Sequence, residues 1–203
     1  MNYAIVLRAL MARPQLHASW LSTLSLLEYV GARKISRTFR LPTAAVISHF
    51  AEEARHARFF KERAERLDPG SRPLLAGRAR LYFERLDAGV ARLLLSHGVK
   101  EPQAAYVLVT RVIEERATDL YTDYNRLLKE MHHPFTLDGV LAEEGRHLQL
   151  MEELTLAWGL ETCLQEARQE EVRHFEPFFA LLERLATGAA EASLAEAPLP
   201  GSR

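Results

Sequence analysis

Residues 52–56 read Glu52-Glu53-Ala54-Arg55-His56, and residues 143–147 read Glu143-Glu144-Gly145-Arg146-His147. A third copy of the pattern, Glu170-Glu171-Val172-Arg173-His174, follows further on. Side chains three residues apart share one face of a helix, so Glu53 with His56, and Glu144 with His147, each set a carboxylate beside an imidazole. The surrounding apolar residues say which face this is. Glu53 and His56 continue a stripe of Val46, Phe50 and Phe60, and Glu144 and His147 continue one of Leu137, Val140, Met151 and Leu154. Stripes of this period are the sides that helices bury against one another. An ionised carboxylate buried without a partner is strongly destabilising, so an inward Glu requires a cation or a proton.

Two more inward carboxylates appear on other segments. Glu28 continues the stripe Leu24, Gly31, Ile35, and Glu114 continues Val107, Thr110, Ala117, Tyr121 and Tyr124. Glu115 shares a face with Arg111 and is expected to be solvated. Gly31 and Ala117 stand where the other two segments place histidine. Two helices thus supply a lone Glu and two supply Glu-x-x-His, a ligand plan that lets a helical bundle hold two metal ions. Depth agrees. Glu28 and Glu53 are centred between Arg40 and Leu41, and Glu114 and Glu144 on Lys129. Helices folding back there would bring both pairs to mid-bundle, roughly 18–22 Å from their turns.

Glycine and proline are scarce and fall at breaks, and no segment alternates as a strand would, so the expected class is all-α. Six main helices are expected. They run from about Pro14 to Thr38, from Pro42 to Leu67, from Ser71 to His97 with a break near Gly77, and from Pro102 to the His132-His133-Pro134 segment. The last two are capped by Thr136 and Thr162 and reach Ala157 and about Leu185. Residues 1–185 form one bundle domain, with Ser71 to His97 as the crossover between two hairpins, and 186–203 a mobile tail.

The formal net charge is -1, which gives no overall attraction to nucleic acid or a membrane surface. Cys163 is the only cysteine, which excludes an intrachain disulfide and fits a cytoplasmic protein. No apolar run approaches the roughly 20 residues of a membrane span, and Met1 to Leu7 do not read as a signal peptide.

The pattern from Glu28 to His147 resembles the ferritin-like di-iron carboxylate superfamily. The fuller form, acidic-Glu-x-Arg-His, resembles the motif of bacterial multicomponent di-iron monooxygenases. There the acidic residue before the ligand bonds a metal-bound histidine and the arginine balances it, which implies those roles for Glu52 with Arg55 and for Glu143 with Arg146. This chain has Glu where those enzymes usually have Asp. In size the chain is more similar to the tRNA-modifying di-iron hydroxylases, whose signature looks like Val112-Ile113-Glu114-Glu115-Arg116-Ala117 followed by Glu144-Gly145-Arg146-His147. The spacing also looks like that of aldehyde-deformylating oxygenases, and the fold serves ferritins and rubrerythrins as well.

The resemblance implies two iron ions (Fe/Fe, with Mn/Fe as the variant), O2 or peroxide activation, and hydroxylation or another oxidation of a small molecule or a modified nucleoside. Carboxylates with imidazoles suit these metals better than thiolate-loving ones. With no Cys-x-x-Cys pair, reductive turnover calls for an external electron donor. The alternative is a ferroxidase or peroxidase in iron handling, and a third reading is a bundle without catalysis.

Thr118, four residues after Glu114, looks like the threonine near the metals of the multicomponent monooxygenases and is the candidate catalytic residue. Arg33, Lys34, Arg37 and Arg40 form a basic patch that could meet tRNA phosphates, although cations also suit a helix C-terminus. Tyr29, Tyr121 and Tyr124 read as packing residues, and His49 as a residue on a polar seam. In the third motif copy, Glu171 and His174 align with Ala167, Phe178 and Leu181, and Glu144 and Glu171 are centred between Trp158 and Gly159. A tight hairpin there would bring Glu171 or His174 to the metal site as an added ligand or as a partner of one.

Overall fold

The structure, a computed structural model, describes residues 2–39 and 41–188. Among these residues it is entirely helical, with α1 (Tyr3–Met11), α2 (Pro14–Thr38), α3 (Ala44–Leu67), α4 (Ala76–Ser96), α5 (Pro102–Glu130), α6 (Asp138–Ala157) and α7 (Glu161–Thr187). No helix of the described residues is long and apolar enough to cross a membrane.

The connections set the layout. Pro14 opens α2, where its missing N–H removes nothing from the helix. The Thr43 side chain accepts the Val46 N–H and starts α3 directly after the α2 turn. Gly159, at φ +64°, lets the chain leave α6 and enter α7 within three residues. α2 packs along α3 and α5 along α6, while α7, in spite of its three-residue link to α6, packs on α4 rather than back along α6. α3 meets α6, and α4 and α7 pair with each other. The α4–α7 pair lies against α2 and α5, and α1 closes the group against α2, α5 and α7. The core includes Trp20, Leu21, Leu24, Phe60, Leu86, Leu108 and Leu127, all essentially solvent-free.

α1 is a seventh helix: Asn2 caps it, and Val6, Leu7 and Leu10 bury one face. It is short, and most of its stability comes from docking rather than propensity. Ser71 does not start the crossover. α4 begins at Ala76 and runs unbroken through Gly77, while the Ser71 hydroxyl is buried 3.1 Å from that of Ser22. Neither Thr136 nor Thr162 caps a helix, since Leu137 and Leu160 hold those positions without side-chain bonds. Phe50 is 39% exposed, because α3 turns His49 inward in its place. Tyr29 is exposed rather than packed, with Arg33 over its ring. The expected tail from residue 189 onward, and Arg40, lie outside the described residues.

Candidate metal centre

All six inward residues of the sequence analysis converge. Glu28 on α2, Glu53 and His56 on α3, Glu114 on α5, and Glu144 and His147 on α6 are each buried. They form two sets of atoms that could each hold a metal ion. Glu28, Glu53, His56 and Glu144 make one, and His49, Glu53, Glu114 and His147 the other. Glu53 belongs to both and therefore stands between the two positions. Glu144 also spans them, lying 3.0 Å from His56 Nδ1 and 3.2 Å from His147 Nδ1.

The imidazoles are aimed by the residues the motif supplies. His56 Nε2 lies 2.8 Å from Glu143, and His147 Nε2 lies 2.6 Å from Glu52. Each acidic residue therefore serves the histidine of the opposite motif copy, α3 for α6 and α6 for α3. Arg55 bonds Glu143 at 2.9 Å, and Arg146 approaches Glu52 at 3.4 Å. With Nε2–H donated outward, both rings present Nδ1 to the centre, the orientation that a metal-binding histidine needs. The Glu side chains span the distance, so the change from Asp to Glu keeps this arrangement.

His49 is the residue that sequence reasoning missed. Its Nδ1 is 2.8 Å from the Tyr106 hydroxyl. Its Nε2 lies 3.3 Å from Glu53 and 3.4 Å from Glu114, and it is buried without a hydrogen-bond partner. An orphaned nitrogen among carboxylate oxygens is a strong ligand signal. The sequence carried a sign of it: His49, Glu53, His56 and Phe60 follow the helical repeat, which puts His49 on the inward face.

Four carboxylates held out of water set the electrostatics of the cluster. Burial, and then the neighbouring Glu53 and Glu144, push the Glu28 carboxyl well above the usual range. Burial and Glu144 do the same to Glu114. Burial also disfavours the Glu144 anion, but hydrogen bonds from Glu114, His147 and His56 more than offset it and hold its carboxyl low. Burial would lower His56, but Glu144, Glu28 and Glu53 overcome that and raise it to about 10. Protons thus do the neutralising that two divalent ions would do. Four carboxylates and neutral imidazoles balance two such ions in charge.

Beside this cluster lies a cavity of about 80 Å³ between α2 and α5, covered by α4 and α7. Glu28, Glu53, Glu114 and Glu144 reach its wall, and Leu27, Ile35, Val109, Ile113 and Phe175 make most of the rest apolar. Tyr121 donates its hydroxyl to Glu28 at the edge of the cavity. Gly31 also lines it, and a Cβ there would stand 2.9 Å from a Glu53 carboxylate oxygen, which accounts for the missing side chain.

Three sequence candidates lie elsewhere. Glu171 is buried, but its carboxylate is held by Arg116, at 3.0 and 2.5 Å, and by the Tyr82 hydroxyl at 3.1 Å. It is in neither ligand set. His174 is half-buried, with Nε2 3.3 Å from Glu170. The expected tight hairpin does not form: α7 packs against α4, α1 and α5 rather than back along α6, so its motif faces Arg116. Thr118 is half-buried with an unpartnered hydroxyl and does not line the cavity. Glu115 is partly buried between Arg111 and Arg168, not simply solvated. Comparison with protein-family models, with curated proteins and with solved structures gave no match.

Proposed function

We propose that this chain is a ferritin-like di-iron oxidoreductase that uses O2 or peroxide to hydroxylate or oxidise an organic substrate. The single observation that carries the reading is the apolar cavity whose wall contains the carboxylates of the buried cluster. An iron-storage site has no need of an apolar chamber at its metal position, whereas an oxidase must hold an organic group there away from water.

Glu28, Glu53, His56 and Glu144 would hold one ion, and His49, Glu53, Glu114 and His147 the other. Bound iron would supply the redox chemistry, with two electrons from an external donor and two protons converting O2 and a C–H group to a hydroxylated product and water. The chain supplies position. Glu52 and Glu143 fix the two ring orientations, Tyr106 fixes His49, and Tyr121 fixes Glu28. The Tyr121 hydroxyl is also a proton-bearing group beside the cavity, and burial keeps it protonated.

Protein expressed with iron should contain about two metal ions per chain. Its reduced form should consume O2 with a change in the optical spectrum, and His56→Ala with His147→Ala should lower occupancy. Full metal retention in that double variant would remove the site. Assembly into a large hollow shell that mineralises iron would favour the iron-handling alternative.

A further inference from the structure

The cavity beside the carboxylates is one of two spaces that share a wall. The second is a groove of about 560 Å³ on the outside of the same α2–α4 junction. Lys34 and Phe83 line both. On α2 the face carrying Leu27, Glu28 and Gly31 looks into the inner cavity, and the adjoining face carrying Val30, Arg33 and Arg37 looks into the groove. Lys34 sits where the two faces meet. Across from it, Asp87 of α4 bonds the Lys34 ammonium.

The two spaces have opposite character. The inner one is apolar except for the metal-cluster carboxylates and a few polar groups at its margin. The outer one holds Arg33, Lys34, Arg37 and Arg80 against Glu84 and Asp87, four cations to two anions. Asp87 is engaged by Lys34, and Arg33, Arg37 and Arg80 have no carboxylate partner among the described residues. All three are exposed. Lys34 is largely buried, and its charge is tied to Asp87 rather than to solvent.

Dimensions connect them. Along α2, Lys34 lies about 9 Å and Arg37 about 14 Å beyond Glu28, at 1.5 Å per residue. The inner cavity has room for roughly three water-sized groups, which suits a short apolar end and not a whole substrate.

Resting on the oxidase reading, we infer that the substrate is an amphipathic organic anion, a carboxylate or a phosphate ester. Its head is held by Arg33, Arg37 and Arg80 in the groove, and its apolar end passes Lys34 and Phe83 to lie beside the metal-cluster carboxylates. The Lys34–Asp87 pair is the gate. A bound anion competes with Asp87 for the ammonium, which loosens the pair only when a substrate head is present. Oxidation would then fall on the end of the molecule remote from its charge, because the head cannot enter the apolar cavity without leaving its arginines.

The test is equilibrium binding to the iron-loaded full chain, kept reduced and free of O2. The probes are hexyl phosphate, hexanoate, hexan-1-ol, hexylamine and ethyl phosphate, with metal content measured on the same samples. The two hexyl anions should bind at least ten-fold more tightly than the alcohol or the amine, and hexyl phosphate at least ten-fold more tightly than ethyl phosphate. Raised salt should weaken the anions selectively. The ratio between hexyl phosphate and hexanoate identifies which head the groove prefers. The triple variant Arg33→Gln, Arg37→Gln, Arg80→Gln changes exposed residues only and should abolish the preference for anions. Equal binding of hexan-1-ol, no binding of any probe, or an anion preference that survives the triple variant would overturn the inference. With two metal ions still bound per chain, such a result leaves the oxidase reading standing. Protein that holds no metal sinks that reading instead, whatever the probes do.

Discussion

The motif on α3 and α6 and its copy on α7 are almost the same five residues, yet they meet different partners. In Glu52–His56 and Glu143–His147 the second Glu of each copy faces the His of the other across the bundle, Glu144 at 3.0 Å from His56 and Glu53 at 3.5 Å from His147, and the arginines of the motif reach only the first Glu. In Glu170–His174 the second Glu faces Arg116, and the His turns back to Glu170. The difference is a single cation already present in the fold. Where Arg116 supplies the charge, the carboxylate is satisfied without a metal. Where four carboxylates converge with only imidazoles among them, the balancing charge is a proton or a bound cation. Glu-x-x-His therefore leaves its groups available to a metal ion only where the facing residues withhold a cation.

Breaking the Arg116 contact should have the largest effect. Arg116→Met would leave Glu171, only 2% exposed, as a buried charge with only the Tyr82 hydroxyl to bond. The expected loss of stability is about 3–5 kcal/mol in a denaturant titration. Adding Glu171→Leu should recover most of it, and metal content should stay near the wild-type value in the double variant. Failure of the second substitution to recover stability would mean that Arg116 matters through its stacking on Phe175 and its bond to the Tyr3 hydroxyl rather than through its pairing with Glu171.

A smaller effect sharpens the same contrast. Glu52→Ala removes the carboxylate that orients His147 and should weaken metal binding by about 10–100-fold. Glu170→Ala, at the same place in the third copy, should leave metal affinity unchanged. Competition with a chelator reads both. Equal losses in the two variants would mean that the acidic residue acts through general charge and not through the imidazole it touches.

The smallest effects concern two glycines. A Cβ on Gly31 would lie 2.9 Å from Glu53 Oε2, and one on Gly89 would lie 2.6 Å from Glu170 Oε2. Both neighbours are ends of flexible side chains, so both variants should fold. Gly31→Ala should shift metal affinity by a few-fold, because Glu53 belongs to both ligand sets. Gly89→Ala should change only stability, where a helix gain of about 0.5–1 kcal/mol opposes the displaced Glu170. A metal effect from Gly89→Ala would show that α7 is coupled to the centre after all.

The helical class, both hairpins and six buried side chains of the centre were legible in the sequence. Each rests on a period of 3.6 residues and on counting outward from a turn, and both are properties of one chain segment and its neighbour. The stripe that carries Glu53 and His56 also carried His49 and put it on the inward face, but which ring nitrogen meets the carboxylates was decided by Tyr106 standing opposite its Nδ1. The same counting put Glu171 at the depth of the centre through a tight α6–α7 hairpin, but α7 packs on α4, α1 and α5 instead. What it could not supply was the side of α5 on which α7 lies. That choice depends on how α4 and α7 pair and on α1 closing the other flank. These contacts lie far apart in the chain and leave no local pattern. The cavity and the groove behind Lys34 are likewise spaces between α2, α4 and α5, and a space has no sequence of its own. Periodicity fixes which face of a helix is buried, whereas only packing fixes what that face is buried against.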